Sequence, residues 1–236
     1  MGNSGNTAID LCATAVIDLL DGFEVDRDPV RLKAAEKTLD FCLPMWRPEG
    51  GDYWETPLHA PNLYAAGHAA LAYMMGYEHL KKPVYKEKAI HWMRTLIAFT
   101  HLWEPASHKM AYNTKPCLCS SDWYFANWVR DHVQWEVLDI FITLHAHGYH
   151  WPEIDPGFDW RRFQRGVTAA AVRWMVDHRE DTWRPHNIPN TLELYEQGDL
   201  DGCFPDTHNT VTGLYGGMCI QPAAIAQNLL IILDWR

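Results

Sequence analysis

Five residues able to move protons or stack on a flat ligand fall within eight positions: Asp52, Tyr53, Trp54, Glu55 and His59. Two carboxyl groups and an imidazole supply acid–base chemistry, and the two rings offer faces on which a sugar could lie. The alternative is that the rings plug a core and the charges are merely solvated. Gly50-Gly51, Pro57 and Pro61 forbid a helix up to about Asn62, so these side chains sit on a loop, where function concentrates. Tyr64 stands where that loop runs into a helix rich in Ala and Leu, and it joins Tyr53 and Trp54 as an expected binding residue.

Further groups of the same kind recur along the chain. Trp123, Trp128, Asp131 and Gln134 surround the start of a later helix, Asp201 lies in an acidic loop, and Asp206, His208 and Asn209 form a third set. Cys117-x-Cys119 lacks the second pair that makes a zinc site convincing, so neither a metal nor a cofactor is expected. His68 and His91 lie within helical patterns and read as satisfied polar groups.

The elements that carry these residues are helical. An apolar stripe of Ile9, Ala13, Val16, Ile17 and Leu20 predicts a helix over 7–20, ended by Asp21-Gly22. Asp28-Pro29 opens a second helix, which runs to about Pro44. Further helices are expected over 62–77, 84–102, 128–147, 160–178 and 223–233, with Pro152 and Pro156 breaking the chain between two of them. Trp46-Arg47-Pro48, Trp103-Glu104-Pro105 and Trp183-Arg184-Pro185 each close a helical stretch and open a polar loop. Their tryptophans read as packing the ends of outer helices. The helix after the first long loop is small and apolar on most sides and suits an inner position. The returning helices, with Lys86, Lys88 and Arg94 or Arg161, Arg162 and Arg173, turn a charged face outward. No alternation of β-branched residues argues for a sheet, so the fold class is all-α, built of helical hairpins over a single domain, 1–236.

Composition narrows the partners. Apolar residues make up 47% of the 236-residue chain, enough for a packed core. A net charge of −10 with scattered Lys and Arg argues against nucleic acid. No stretch nears the roughly 20 apolar residues of a membrane span, and no signal peptide is recognisable, so a soluble cytoplasmic protein is expected. The six cysteines are expected to be reduced.

The segment GDYWETPLHAPNLYAAGHAALAY, followed by a helix ending in LWEP, resembles the six-hairpin glycosidase-like (α/α) toroids of glycoside hydrolases and polysaccharide lyases. About three and a half hairpins can be counted, an incomplete six-hairpin barrel. The apolar last helix is therefore expected to be covered by another chain or by residues beyond a truncated C-terminus. The resemblance implies a carbohydrate-active enzyme with an oligo- or polysaccharide substrate. Hydrolysis would oppose Asp52 or Glu55 to Asp201 or Asp206 across the scissile bond. Elimination would use Tyr53, His59 or His208 as base, with Asn209 or Arg130 neutralising a uronate. Isomerisation or epimerisation of a free sugar would use His59 and His208. A non-catalytic module that binds glycans or proteins through loop aromatics is the fourth expectation.

Overall fold

Glycine and alanine crowd the helix on which the first half of the chain is assembled, because three neighbours press against it. A computed structural model describes residues 7–50, 59–106, 109–117, 131–179, 184–185, 196–205, 208–209, 214–215 and 222–234, with positions 131, 184–185, 209 and 214–215 described as backbone. Helices α1 (Ile9–Asp26), α2 (Pro29–Cys42), α3 (Leu63–Leu80) and α4 (Pro83–Thr95), with a 3-10 turn at Leu96–Phe99, form one compact unit. Helix α3 packs on α1, α2 and α4. Its stretch from Ala65 to Gly76 is buried except at His68, as expected of an inner helix. Asn62 caps α3 by accepting from Tyr64 N at 2.7 Å and Ala65 N at 3.3 Å, and Asp28 caps α2 by accepting from Val30 N at 2.9 Å.

Two expectations are corrected here. Helix α1 passes through Gly22 and ends at Arg27, whose φ of 57° closes the helix in the left-handed region. A glycine inside a helix costs only about 1 kcal/mol. The added turn offsets that by setting Phe23 edge-on to His79 of α3 at 5.3 Å and Glu24 beside the same imidazole at 3.1 Å. Lys88 does not face outward: it is buried, donates to Met45 O at 3.0 Å and lies 3.9 Å from the centre of the Trp46 ring. Burial lowers its pKa, and the tryptophan face supplies the partial negative charge that a desolvated ammonium needs. Trp46 thus lies over the outer helix as expected, although it is as largely exposed as Trp103.

The second compact unit holds α5 (Gln134–Ala146), a single turn α6 (Trp151–Ile154), α7 (Trp160–Arg173) and α8 (Ala223–Asp234). Helices α5, α7 and α8 pack on one another around a buried amide pair. Gln164 Nε2 of α7 donates to Asn228 Oδ1 of α8 at 2.8 Å, and Asn228 Nδ2 donates to Leu138 O of α5 at 3.0 Å. On α7 Arg161 and Arg162 are exposed as expected, but Arg173 turns in to Asn113 Oδ1 at 2.7 Å. Strands β1 (Asp131–His132), β2 (Arg184–Pro185), β3 (His208–Asn209) and β4 (Leu214–Tyr215) join in the order β1-β3-β4-β2. At two residues each they leave the protein all-α. Among the described residues no helix is long and apolar enough to cross a membrane.

Gly76 tests the packing of α3. A β-carbon there would overlap Leu39 Cδ1 of α2 and sit 3.3 Å from the Tyr85 ring of α4. Gly76→Ala gains about 1 kcal/mol in helix propensity but overpacks a site where added methyls cost about 1–3 kcal/mol. Denaturant unfolding should show a net loss of stability. In a double-mutant cycle, Leu39→Ala should convert Gly76→Ala to a neutral or stabilising change.

Candidate functional site

The loop that follows α2 folds back over the first turn of α1. Asp10 N donates to Glu49 O at 3.2 Å, Asn62 N donates to Pro48 O at 2.7 Å, and Glu49 pairs with Pro61 in an antiparallel bridge. Gly50 follows with φ +116°, a conformation that L side chains rarely adopt, and a β-carbon on it would collide with Asp10 Cβ. The backbone at 50 therefore seals the aspartate, which is 3% exposed.

A sealed carboxylate needs a partner, and α3 provides it. His68 Nδ1 donates to Asp10 Oδ1 at 2.6 Å. That bond fixes the tautomer, leaving Nε2 with its lone pair, on a side chain that is 29% exposed. Tyr64, one turn earlier on the same face, stacks nearly parallel to the imidazole, with centroids 5.2 Å apart and planes at 17°. An imidazole anchored at one nitrogen, open at the other and backed by a ring is the form of a general base.

A second pair stands on the same loop. His59 Nδ1 donates to Glu49 Oε2 at 2.7 Å, and Arg47 lies 3.4 Å from Glu49 Oε1 and donates to His59 O at 3.4 Å. Glu49 thus joins both pairs: its carbonyl holds the Asp10 backbone while its carboxylate holds His59. The His59 side chain is 46% exposed, so this pair adds little to stability and keeps its imidazole open to solvent.

The structure brings two expected residues, His59 and Tyr64, to this rim, and adds Asp10, Glu49 and His68. Asp52, Tyr53, Trp54, Glu55, Trp123, Trp128 and Asp206 lie outside the described residues. Asp131 and Asn209 face each other in the backbone ladder of β1 and β3. Asp201 accepts from His178 N at 2.8 Å and from His178 Nδ1 at 2.7 Å, which lowers its pKa. With Asp177 they place three possible ligand atoms within 4.8 Å of one another, but Arg179 already pairs with Asp177 at 2.6 Å. Gln134, expected on a substrate, is fully buried. Its amide accepts from Thr114 N at 3.1 Å and donates to Tyr112 O at 3.0 Å and Val167 O at 2.7 Å. It brackets the segment at 112–114 to α5 and α7.

His208, expected as a base, is fully buried opposite His132 in the ladder. Its ring meets Trp174 edge-on at 4.3 Å, and His132 lies 5.0 Å from His101. Backbone bonds from His101 N to Asn113 O and from Val133 N to Thr114 O, each 3.0 Å, hold the cluster together. Burial, with Lys115 and the neighbouring imidazoles, pushes His132 down to about 2, and burial with Arg173 pushes His208 down to about 3. Both rings are neutral at physiological pH and too weakly basic to take a proton there.

No protein-family model matches the chain, and no curated protein matches it by sequence.

The buried imidazoles give the fold a directed pH dependence. Their folded pKa values lie below the ordinary 6.5, so above that pH they contribute no pH dependence. As pH falls below 6.5 the unfolded chain binds protons that the folded chain refuses, and each histidine then withdraws about 1.4 kcal/mol per pH unit until pH nears 3. Urea unfolding between pH 7.5 and 4.5 should show this loss. His132→Gln and His208→Gln should each flatten the slope by up to one proton.

Proposed function

We propose that the chain is an acid–base enzyme of sugar chemistry, an isomerase or epimerase in which His68 is the base. The observation that carries this reading is the 2.6 Å bond from His68 Nδ1 to the sealed Asp10 carboxylate. A buried carboxylate behind an imidazole fixes its tautomer and stabilises the imidazolium formed when the other nitrogen takes a proton. His68 Nε2 would remove the proton on the carbon beside a sugar carbonyl, and the bonding electrons would move to the carbonyl oxygen. His59, carried by Glu49, would protonate that oxygen. Return of the proton from His68 to the neighbouring carbon, with His59 taking the proton of the hydroxyl that becomes the new carbonyl, completes isomerisation. Delivery of a solvent proton to the opposite face of the first carbon, with His59 taking back the proton it gave, completes epimerisation. Tyr64 backs the base and restricts its rotation.

Glycoside hydrolysis asks for two carboxyl groups about 5–10 Å apart across the bond, one protonated and one ionised. Asp10, Glu49 and Asp201 are each engaged by an imidazole, which favours proton transfer over hydrolysis. The hydrolytic alternative rests on Asp52, Glu55 and Asp206. Sugar as the substrate class rests on the sequence resemblance to the toroid enzymes.

A panel of free aldoses and ketoses in heavy water, followed by proton NMR, tests the proposal. Loss of a carbon-bound proton signal together with interconversion of sugars is expected. His68→Gln should slow that exchange by about 10²–10⁴-fold, and Asp10→Asn should act in the same direction by leaving the wrong tautomer. Glycan cleavage without exchange, or exchange indifferent to His68→Gln, would overturn it.

A further inference from the structure

The α1–α2 hairpin sets two thiols against each other. Cys12 occupies the first turn of α1 and Cys42 is the last residue of α2, so the antiparallel pair brings them together at the open end of the hairpin. Both are free, and each thiol is the main influence on the other's proton. Cys42 is 2% exposed, whereas Cys12 is half-buried and lies 3.4 Å from the Thr7 hydroxyl. One sulfur is thus reachable and the other shielded behind it.

We propose that Cys12 and Cys42 form a redox-active dithiol, in which Cys12 attacks a small-molecule disulfide and Cys42 resolves the adduct to a disulfide linking α1 to α2. The first step breaks the S–S bond of the reagent, joins one of its sulfurs to Cys12 and releases the other as a thiolate. In the second, Cys42 loses its proton to solvent and attacks Cys12 Sγ, expelling the second thiolate. Two thiols of the protein are oxidised and one reagent disulfide is reduced to two thiols.

The local chemistry assigns the order. Hydrogen bonds from Cys42 and Thr7 lower the Cys12 thiol to about 6, and the first turn of a helix favours a negative charge in the same direction. The bond to Cys12 and burial raise Cys42, so it stays protonated while Cys12 carries charge. Capping Cys12 removes that charge and with it the main cause holding the Cys42 proton. Bulk keeps a reagent from Cys42 directly, but Cys12 is its neighbour across the packed hairpin. The dithiol is independent of the proposed sugar chemistry.

Oxidised glutathione applied to the purified chain, followed by blocking of remaining thiols and peptide mass mapping, tests the proposal. The expected product is a Cys12–Cys42 cross-link formed ahead of any change at the other four cysteines. Cys42→Ala should stop at a glutathione adduct on Cys12, with Cys42→Ser used if the alanine variant melts early. Cys12→Ser should leave Cys42 unmodified, and the rate of Cys12 alkylation by iodoacetamide should reach half its maximum near pH 6. An adduct on wild-type Cys12 that never resolves would overturn the proposal, as would first attack at Cys42. So would an alkylation midpoint near the ordinary thiol value of about 8.5.

Discussion

Burying a carboxylate without an answering charge or donors costs several kcal/mol, and the first unit buries that of Asp10 in the first turn of α1. His68 answers the sealed Asp10 from α3, a helix whose buried stretch is rich in alanine and glycine. The seal itself is backbone, since Gly50 has no β-carbon to clash with the aspartate. The loop that carries Gly50 is in turn held by Asp10 N and Asn62 N. Cap, glycine, aspartate and imidazole thus form one dependency, which leaves the His68 side chain partly exposed.

The second unit also buries neutral polar groups. Gln134 and Asn228 are neutral amides whose donors and acceptors are all matched to backbone or to another amide, so desolvation is offset bond by bond. His132 and His208 remain uncharged through burial, with Lys115 acting in the same direction on the first and Arg173 on the second. In the first unit, by contrast, His59 and His68 each keep a carboxylate partner and partial exposure.

Much of the fold was legible in local signals. Asp28-Pro29 and Asn62 begin helices because their side chains accept from the first free N–H groups, and a short polar side chain before an apolar run announces that directly. The stretch at 46–61 read as a loop because glycine and proline disfavour a helix there, and its described parts, 46–50 and 59–61, carry no helix. Asp10 and His68 were not legible. They are 58 positions apart, and each taken alone is an ordinary helix residue, one a first-turn acid and the other a histidine inside a small-residue helix. Lys88 read as an outward charge because nothing in its own helix reveals that Trp46 folds over it. His208 read as a base because sequence carries its type but not its depth.

Asn228 has a consequence for how the last helix docks. Ile225 and Ile231 would bury about as well after a slide of one turn, because apolar contacts have no direction. An amide has two distinguishable ends, and this one must present its oxygen to Gln164 and its nitrogen to Leu138 O at once. One setting along the axis satisfies both. Asn228 therefore acts as an index mark for α8, fixing axial position where the isoleucines supply adhesion alone.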